Sequence, residues 1–237
     1  MSSFSRDLLL VIGGFIPSIF WLLYYLKKDC HPEPKSLIAK TMALGILIAP
    51  LAIVAQLLFT RLARAYFPNY EPTTAISFFL WAALVEEYVK YLVVRLTVLN
   101  RPEFDEPTDA MVYMISAALG FAAIENILVL FNVIPDGPGA ALRILVLRFV
   151  GATLLHTIAS AALGYCLGLA WFYHHHSRKI IAGGLALATL THLVFNLAML
   201  NTDRGWGLLV TSGGLLILII LISFLFDRFR DRVAVHS

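Results

Sequence analysis

The sequence predicts an all-α bundle of about seven transmembrane helices, and three observations lead to this fold class. Hydrophobic residues make up 59% of the 237 residues and charged residues only 14%, against roughly half and roughly a quarter in soluble domains. The mean hydropathy is +0.81. The apolar residues run in long stretches, without the alternation typical of a membrane barrel. A soluble enzyme, a disordered chain or a nucleic-acid-binding protein is therefore excluded, because such a chain would expose large apolar patches.

Seven stretches approach or exceed the roughly 20 apolar residues that a spanning helix needs. The fifth is long enough to be tilted or to extend beyond the bilayer. The first is followed by Lys27 and Lys28, so we interpret it as a retained helix rather than a signal peptide. We expect residues 1–237 to form a single integral-membrane domain. The predicted spans are Leu8–Leu26, Leu37–Phe59, Ala75–Leu99, Ala110–Ile134, Arg143–Tyr173, Ile180–Leu200 and Trp206–Phe226.

The distribution of basic residues predicts the orientation of the chain. Eleven lie on one side of the predicted spans: Lys27, Lys28, Lys35, Lys40, Arg95, Arg101, Arg178, Lys179, Arg228, Arg230 and Arg232. Six lie on the other: Arg6, Arg61, Arg64, Arg143, Arg148 and Arg204. Basic loops stay in the cytoplasm. We therefore expect the N-terminus outside and the C-terminus in the cytoplasm.

Several ionisable residues lie inside the predicted spans, where each charge costs roughly 2.5–3.5 kcal/mol at the bilayer centre. Structural roles are available for some of them. Glu86 and Lys90 could form an i,i+4 pair, but this leaves Glu87 unexplained. Single histidines can join helices by hydrogen bonds, and Arg148 could extend to the membrane surface. The ionisable and amide residues in question are Glu86, Glu87, Lys90, Glu125, Asn126, Arg148, His156, His192 and Asn196.

Counting along each predicted helix brings four of these residues to one level. At about 1.5 Å per residue, Glu86, His156, Glu125 and His192 lie about 17, 20, 14 and 12 Å from the outer ends of their spans. Residues of four helices thus share one layer of the membrane. This agreement predicts a single buried polar site.

The residue types at this level suit the hydrolysis of an amide bond. A buried carboxylate can deprotonate water, Lys90 can orient or neutralise the second carboxylate, and Asn196 can donate to an oxyanion. Glu125, His156 and His192 form one candidate set of ligands for a divalent metal such as zinc. A metal-free route, with histidine and asparagine as oxyanion donors, is the alternative. The sequence contains neither an HExxH nor a GxSxG motif, which disfavours the zincin and serine chemistries.

The motifs also carry a resemblance to a known family. Glu86-Glu87-x-x-Lys90, Phe121-x-x-x-Glu125, His156 and His192-x-x-x-Asn196 resemble the PrsW family of intramembrane proteases. That family is similar to the type II CAAX prenyl endopeptidases and to bacteriocin-processing enzymes. The resemblance covers roughly residues 75–200. The glutamate at position 125, where the prenyl endopeptidases have histidine, favours the PrsW branch.

This resemblance implies an intramembrane endopeptidase that cleaves membrane-anchored, single-span proteins such as anti-sigma factors by site-1 cleavage. It makes Glu86 the better candidate for the water-activating base, with Glu87 and Lys90 in support. A multi-pass protein of a bacterial or archaeal plasma membrane is expected, with the lipid bilayer and its substrate as partners and no nucleic acid. We expect cleavage at the extracytoplasmic end of the substrate's helix.

Two other functions fit part of the pattern. A prenyl-protein endopeptidase would act on a lipidated C-terminus, but it should carry histidine at position 125. A proton- or cation-coupled transporter would also use buried glutamate, lysine and histidine. Transporters usually show two related halves with broken helices, and the sequence shows no such repeat.

Overall fold

The computed structural model describes residues 3–29, 31–200 and 206–234, and this part of the chain is helical without strands. Cys30 and Arg204 lie outside the described residues, as do the side chains of Arg230 and Arg232. Short 3₁₀ turns occur at Ile134–Asp136 and His174–His176. The helices are α1 (Ser3–Leu26), α2 (Lys35–Tyr66), α3 (Ile76–Thr97), α4 (Pro107–Val133), α5 (Pro138–Val150), α6 (Ala152–Phe172), α7 (Ser177–Leu200) and α8 (Trp206–Ala234).

The predicted all-α membrane bundle is confirmed. Over the described residues, five segments are long and apolar enough to cross a membrane: α1, α2, α4, α5 together with α6, and α7. The predicted spans three and seven are also helices, α3 and α8. Helix α3 is not among the five because its composition is too polar: it carries Glu86, Glu87, Lys90 and Arg95. The orientation of the bundle in the membrane stays a prediction.

The fifth predicted span is not one continuous helix. It is divided at Gly151, whose φ of −110° and ψ of −99° interrupt the helical path between α5 and α6. Trp21 of α1 donates its indole N–H to the carbonyl of Phe149, at 3.0 Å, and so satisfies one of the acceptors freed at the end of α5. His156 lies in the second turn of α6, so its predicted depth, which was counted along one continuous helix from Arg143, stays a prediction.

Helix α4 occupies the centre of the bundle. It packs on α1, α2, α3, α5, α6 and α8, and most of its residues are buried around its whole circumference, as expected for a helix without a polar face. Its start is fixed by Pro107 at the first helical position and by a capping box between Glu106 and Asp109, both standard signals for a helix N-terminus. Helix α4 can thus hold Glu125 in the protein interior.

Small residues allow the other helices to approach α4 closely. A Cβ atom at Gly120 would overlap the carbonyl of Met42 in α2, and one at Gly164 of α6 would overlap the backbone at Ala110 and Met111. These two glycines therefore serve close helix packing. This packing brings the polar residues of α3, α4 and α6 within hydrogen-bonding reach.

Candidate active site

Helix α3 places three ionisable side chains in the interior of the bundle. Glu86 is 6% exposed, and Glu87 and Lys90 are fully buried. The spacing puts them on the side of α3 that packs on α2, α4, α6 and α7, and an i,i+3 pair lies on one helix face. Their charges must therefore be met by partners from those helices.

Glu87 has partners on both carboxylate oxygens. Oε1 accepts a hydrogen bond from the Lys90 ammonium at 2.7 Å and lies 3.0 Å from Nδ1 of His192. Oε2 accepts from the hydroxyl of Ser160 at 2.9 Å. Both oxygens are committed to neighbouring side chains, so Glu87 is placed to organise the site rather than to take up a further proton.

Lys90 extends the network to the next helices. Its ammonium lies 2.7 Å from Nδ1 of His156 and 4.7 Å from the centre of the Phe121 ring. An ammonium only donates, so Nδ1 of His156 is the acceptor and Nε2 carries the ring proton. That Nε2 donates to Oε2 of Glu125 at 2.9 Å. The predicted residues of α3, α4 and α6 are thereby joined in one chain of contacts.

Glu125 is also held from α5. Arg148 donates from Nη2 to Oε2 of Glu125 at 3.0 Å and from Nε to the side-chain oxygen of Asn126. Asn126 in turn donates to the carbonyl of Gly14 in α1 and to the hydroxyl of Thr153 in α6. Arg148 is thus an internal residue, and not one that extends to the membrane surface.

Glu86 differs from Glu87 in having a free oxygen. Its Oε1 accepts from the amide of Gln56 in α2 at 2.9 Å, whereas its buried Oε2 has no hydrogen-bond partner among the described residues. Nε2 of His192 lies 3.6 Å from Oε2. Since Nδ1 of His192 donates to Glu87, Nε2 is the acceptor of the neutral imidazole. The two acceptors lie too close for a water molecule between them, but both face one gap in which a water molecule or a cation can contact them.

The same gap has the donor chemistry of a metal site. Among the described residues, one atom each of Glu86, His156 and His192 lie within 4.8 Å of one another. Imidazole and carboxylate ligands suit zinc, and a carboxylate behind a ligating histidine, as Glu87 is behind His192, is the usual supporting contact. The set shares both histidines with the predicted one and contains Glu86 in place of Glu125. Glu125 instead contacts His156 and Arg148.

A cavity of about 310 Å³ lies over these residues. Asn196, the last of the predicted site residues, lines it on α7, one turn after His192. Helix α5 and the C-terminal part of α7 form much of the wall, which places the cavity towards the predicted outer end of the bundle. The lining includes Glu86, Glu125, Leu147, Arg148, Gly151, Leu155, His156, His192, Phe195, Asn196, Thr211 and Leu215.

Sequence reasoning missed three contributors to the site. Gln56 is an amide in the apolar second span, and its type alone could have marked it. Ser160 and Thr153 had no distinguishing signal, because small hydroxyl residues are common where membrane helices pack. The sequence could not show that Gly151 breaks the fifth span and directs Arg148 to Glu125.

The family model described as PrsW family intramembrane metalloprotease matches residues 33–226 of the chain. The chain belongs to the PrsW family. A protein named Protease PrsW from Geobacillus kaustophilus is 32% identical over 200 residues, covering 84% of this chain and 82% of the relative. Protease PrsW from Oceanobacillus iheyensis is 33% identical over 184 residues, covering 78% and 80%. Protease PrsW from Bacillus subtilis is 27% identical over 186 residues, covering 77% and 79%.

No solved structure matches the chain. Membership of the PrsW family makes the chain an intramembrane protease, as the motifs predicted, and its relatives are bacterial. Membership of this family also excludes the transporter, which was an alternative as long as only the buried charges were considered. The buried network just described therefore lies in a protease, and the family is described as one of metalloproteases.

Arg148 offers a test of the link between α5 and this PrsW site. In Arg148→Gln, Glu125 loses its cationic partner and α5 loses this polar link to α4, so the cleavage rate should fall about tenfold or more, as it does when catalytic groups are misplaced. Arg143→Gln on the same helix is the control, because Arg143 is exposed. Its rate should stay within about twofold of wild type. Equal rates for the two variants, measured with the same membrane-protein substrate, would contradict the role of Arg148.

Proposed function

We propose that the chain cleaves a peptide bond in single-span membrane proteins by means of a water molecule activated by Glu86. The observation that supports this most strongly is the buried, unpartnered Oε2 of Glu86, 3.6 Å from Nε2 of His192 at the cavity wall. A buried carboxylate with one free oxygen is suited to accept a proton from water. Glu87 has both oxygens occupied. It assists the base indirectly, by holding His192 in position.

In this proposal, water donates one proton towards Oε2 of Glu86 and one towards Nε2 of His192. As the water attacks the scissile carbonyl, Glu86 takes up its proton. The amide of Asn196, on the same cavity wall, donates to the oxyanion that forms. Glu86 then returns the proton to the leaving amine, which completes hydrolysis with the carboxylate restored.

The residues present fit the divalent metal that the family description implies. Glu86, His156 and His192 would hold it, and Glu86 would then be a ligand rather than the base of the metal-free route. When bound, such an ion polarises a carbonyl and lowers the pKa of water. For Nε2 of His156 to act as a ligand, its proton would have to leave and Nδ1 would have to take a proton from the Lys90 ammonium, so that the ring stays a neutral imidazole with a free lone pair. With or without the metal, the positions of His156, His192 and Glu125 are fixed by Lys90, Glu87 and Arg148.

The position of the cavity supports cleavage near the outer end of the substrate's helix. Glu86, Glu125 and His192 lie in the halves of α3, α4 and α7 next to the predicted outer ends. Water reaches such a site by a shorter path from outside. A helical substrate must unwind before attack, since its amides are hydrogen-bonded, and this is easiest near a helix end. A plasma-membrane enzyme releasing the outer domain of an anti-sigma-like protein fits these constraints.

Glu86→Gln tests the proposed base. The glutamine can still accept from Gln56 and keep the fold, but it cannot take up a proton, so the rate should fall by about 10²–10⁴-fold. Purified protein is incubated with a panel of single-span membrane proteins, and product masses give both the rate and the cut position.

Glu71→Gln in the exposed loop before α3 is the matched control and should cleave at the wild-type rate. Wild-type cleavage by folded Glu86→Gln would refute the assignment of the base. A cut at the cytoplasmic end of the substrate would refute the proposed topology.

Metal content is tested separately. Elemental analysis of the purified protein should find about one zinc ion per chain, the stoichiometry of a mononuclear site. The zinc should be lost in His192→Ala and retained in the control His175→Ala, whose side chain is exposed. Full activity in protein shown to be free of metal would remove the ion from the mechanism and leave the metal-free route.

A further inference from the structure

A second, apolar groove adjoins the catalytic cavity. It lies between α7 and α8 and has a volume of about 430 Å³. Leu190, Val194 and Ala198 follow each other at fourth positions along α7. Thr211, Gly214, Leu215 and Leu218 repeat at third and fourth positions along α8. The groove therefore runs parallel to both helices over about two turns, or about 12 Å.

The groove and the catalytic cavity share a wall. Leu155, Phe195, Thr211 and Leu215 line both spaces. Leu155 of α6 and Leu215 of α8 are almost fully buried between them. On its other side the groove is bordered by exposed apolar residues, with Leu190 54% and Val194 64% exposed. In a membrane this side faces the lipid, so the groove lies between the bilayer and the polar site.

We propose that this groove binds the membrane-spanning helix of the substrate, with the unwound end of that helix reaching past the shared wall to Glu86. The proposal rests on the proposed function, because it names where that substrate docks. Side chains at every third or fourth position of a helix form a ridge that packs between the ridges of two other helices. The two rows on α7 and α8 have this spacing and length.

Gly214 supports a helix as the occupant. A Cβ atom at Gly214 would meet nothing within 4 Å, and its position on the groove leaves room for a second backbone to approach. Small residues serve this purpose where membrane helices pack, since lipid offers no hydrophobic driving force between them. The groove is also almost without polar atoms apart from Thr191 and Thr211, which favours an apolar helix over a charged segment.

The neighbouring glycine supplies a matched control. Gly213 also has nothing within 4 Å of an added Cβ atom, but it does not line the groove. Gly214→Phe should fill the groove and lower kcat/KM for a single-span substrate by about tenfold, the cost of overpacking a contact by about 1.4 kcal/mol. Gly213→Phe should change it by less than about twofold.

The probe is the single-span protein that wild type cleaves fastest in the panel described above, assayed beside a short water-soluble peptide with the same scissile bond. Gly213→Phe should cleave the peptide at the wild-type rate, and Gly214→Phe should lose less rate on the peptide than on the single-span protein, since the peptide has no membrane helix to dock. Cleavage of the panel by the wild-type protein tests the proposed function. The ratio of the cleavage rates of the two variants tests the groove. Equal rates for both variants on the single-span protein would overturn the groove while leaving the function in place.

Crosslinking gives a second readout that does not depend on the folding of the glycine variants. A photoreactive benzoylphenylalanine is placed at Val194 of Glu86→Gln, or at Leu57 of α2, which is 58% exposed. An adduct with the tagged single-span substrate from Val194, and not from Leu57, supports the proposal. Adducts from Val194 only with phospholipid, or only with a second copy of the chain, would overturn it.

Discussion

The buried ion pair between Glu87 and Lys90 is the interaction on which the rest of the site depends. Both side chains are fully buried, and their charged atoms lie 2.7 Å apart. Each charge would be very costly alone in this interior, and the pair is tolerated only when its remaining donors and acceptors are also satisfied. His192, Ser160 and His156 provide those partners. The need to satisfy two buried charges on α3 therefore fixes the positions of α6 and α7.

This constraint explains why α2, α6 and α7 pack on the polar side of α3. Helix α6 supplies Ser160 and His156, α7 supplies His192 and α2 supplies Gln56. The close contacts of α2 and α6 with α4, allowed by Gly120 and Gly164, complete the enclosure. One carboxylate oxygen, Oε2 of Glu86, is left without a partner in this enclosure. A network that satisfies its other members while leaving this oxygen and Nε2 of His192 free suits a hydrolytic site.

Much of this arrangement could be predicted from the sequence, because charges in a membrane span are costly and must meet. Glu86, Glu87, Lys90, His156 and His192 stood out by type in apolar helices, and the helix bundle followed from the length of the apolar stretches. The break at Gly151 could not be predicted, since glycine is tolerated within membrane helices and its backbone angles depend on packing. For the same reason Arg148 could have been placed at the surface or in the site. From the sequence, Glu86 was preferred to Glu87 only through the family resemblance, and the contacts give this choice a physical reason, because Glu87 has both oxygens occupied and Glu86 does not.

The central claim, that Glu87 and Lys90 are a mutually dependent buried pair, is tested most directly by a double-mutant cycle on unfolding in detergent. Glu87→Gln and Lys90→Met each leave one buried charge uncompensated, and each should lower the free energy of unfolding by about 3–5 kcal/mol. The double variant should be at least as stable as either single variant, because it contains neither charge. Additive losses in the double variant would contradict the account, since they would show that each residue contributes independently of the other.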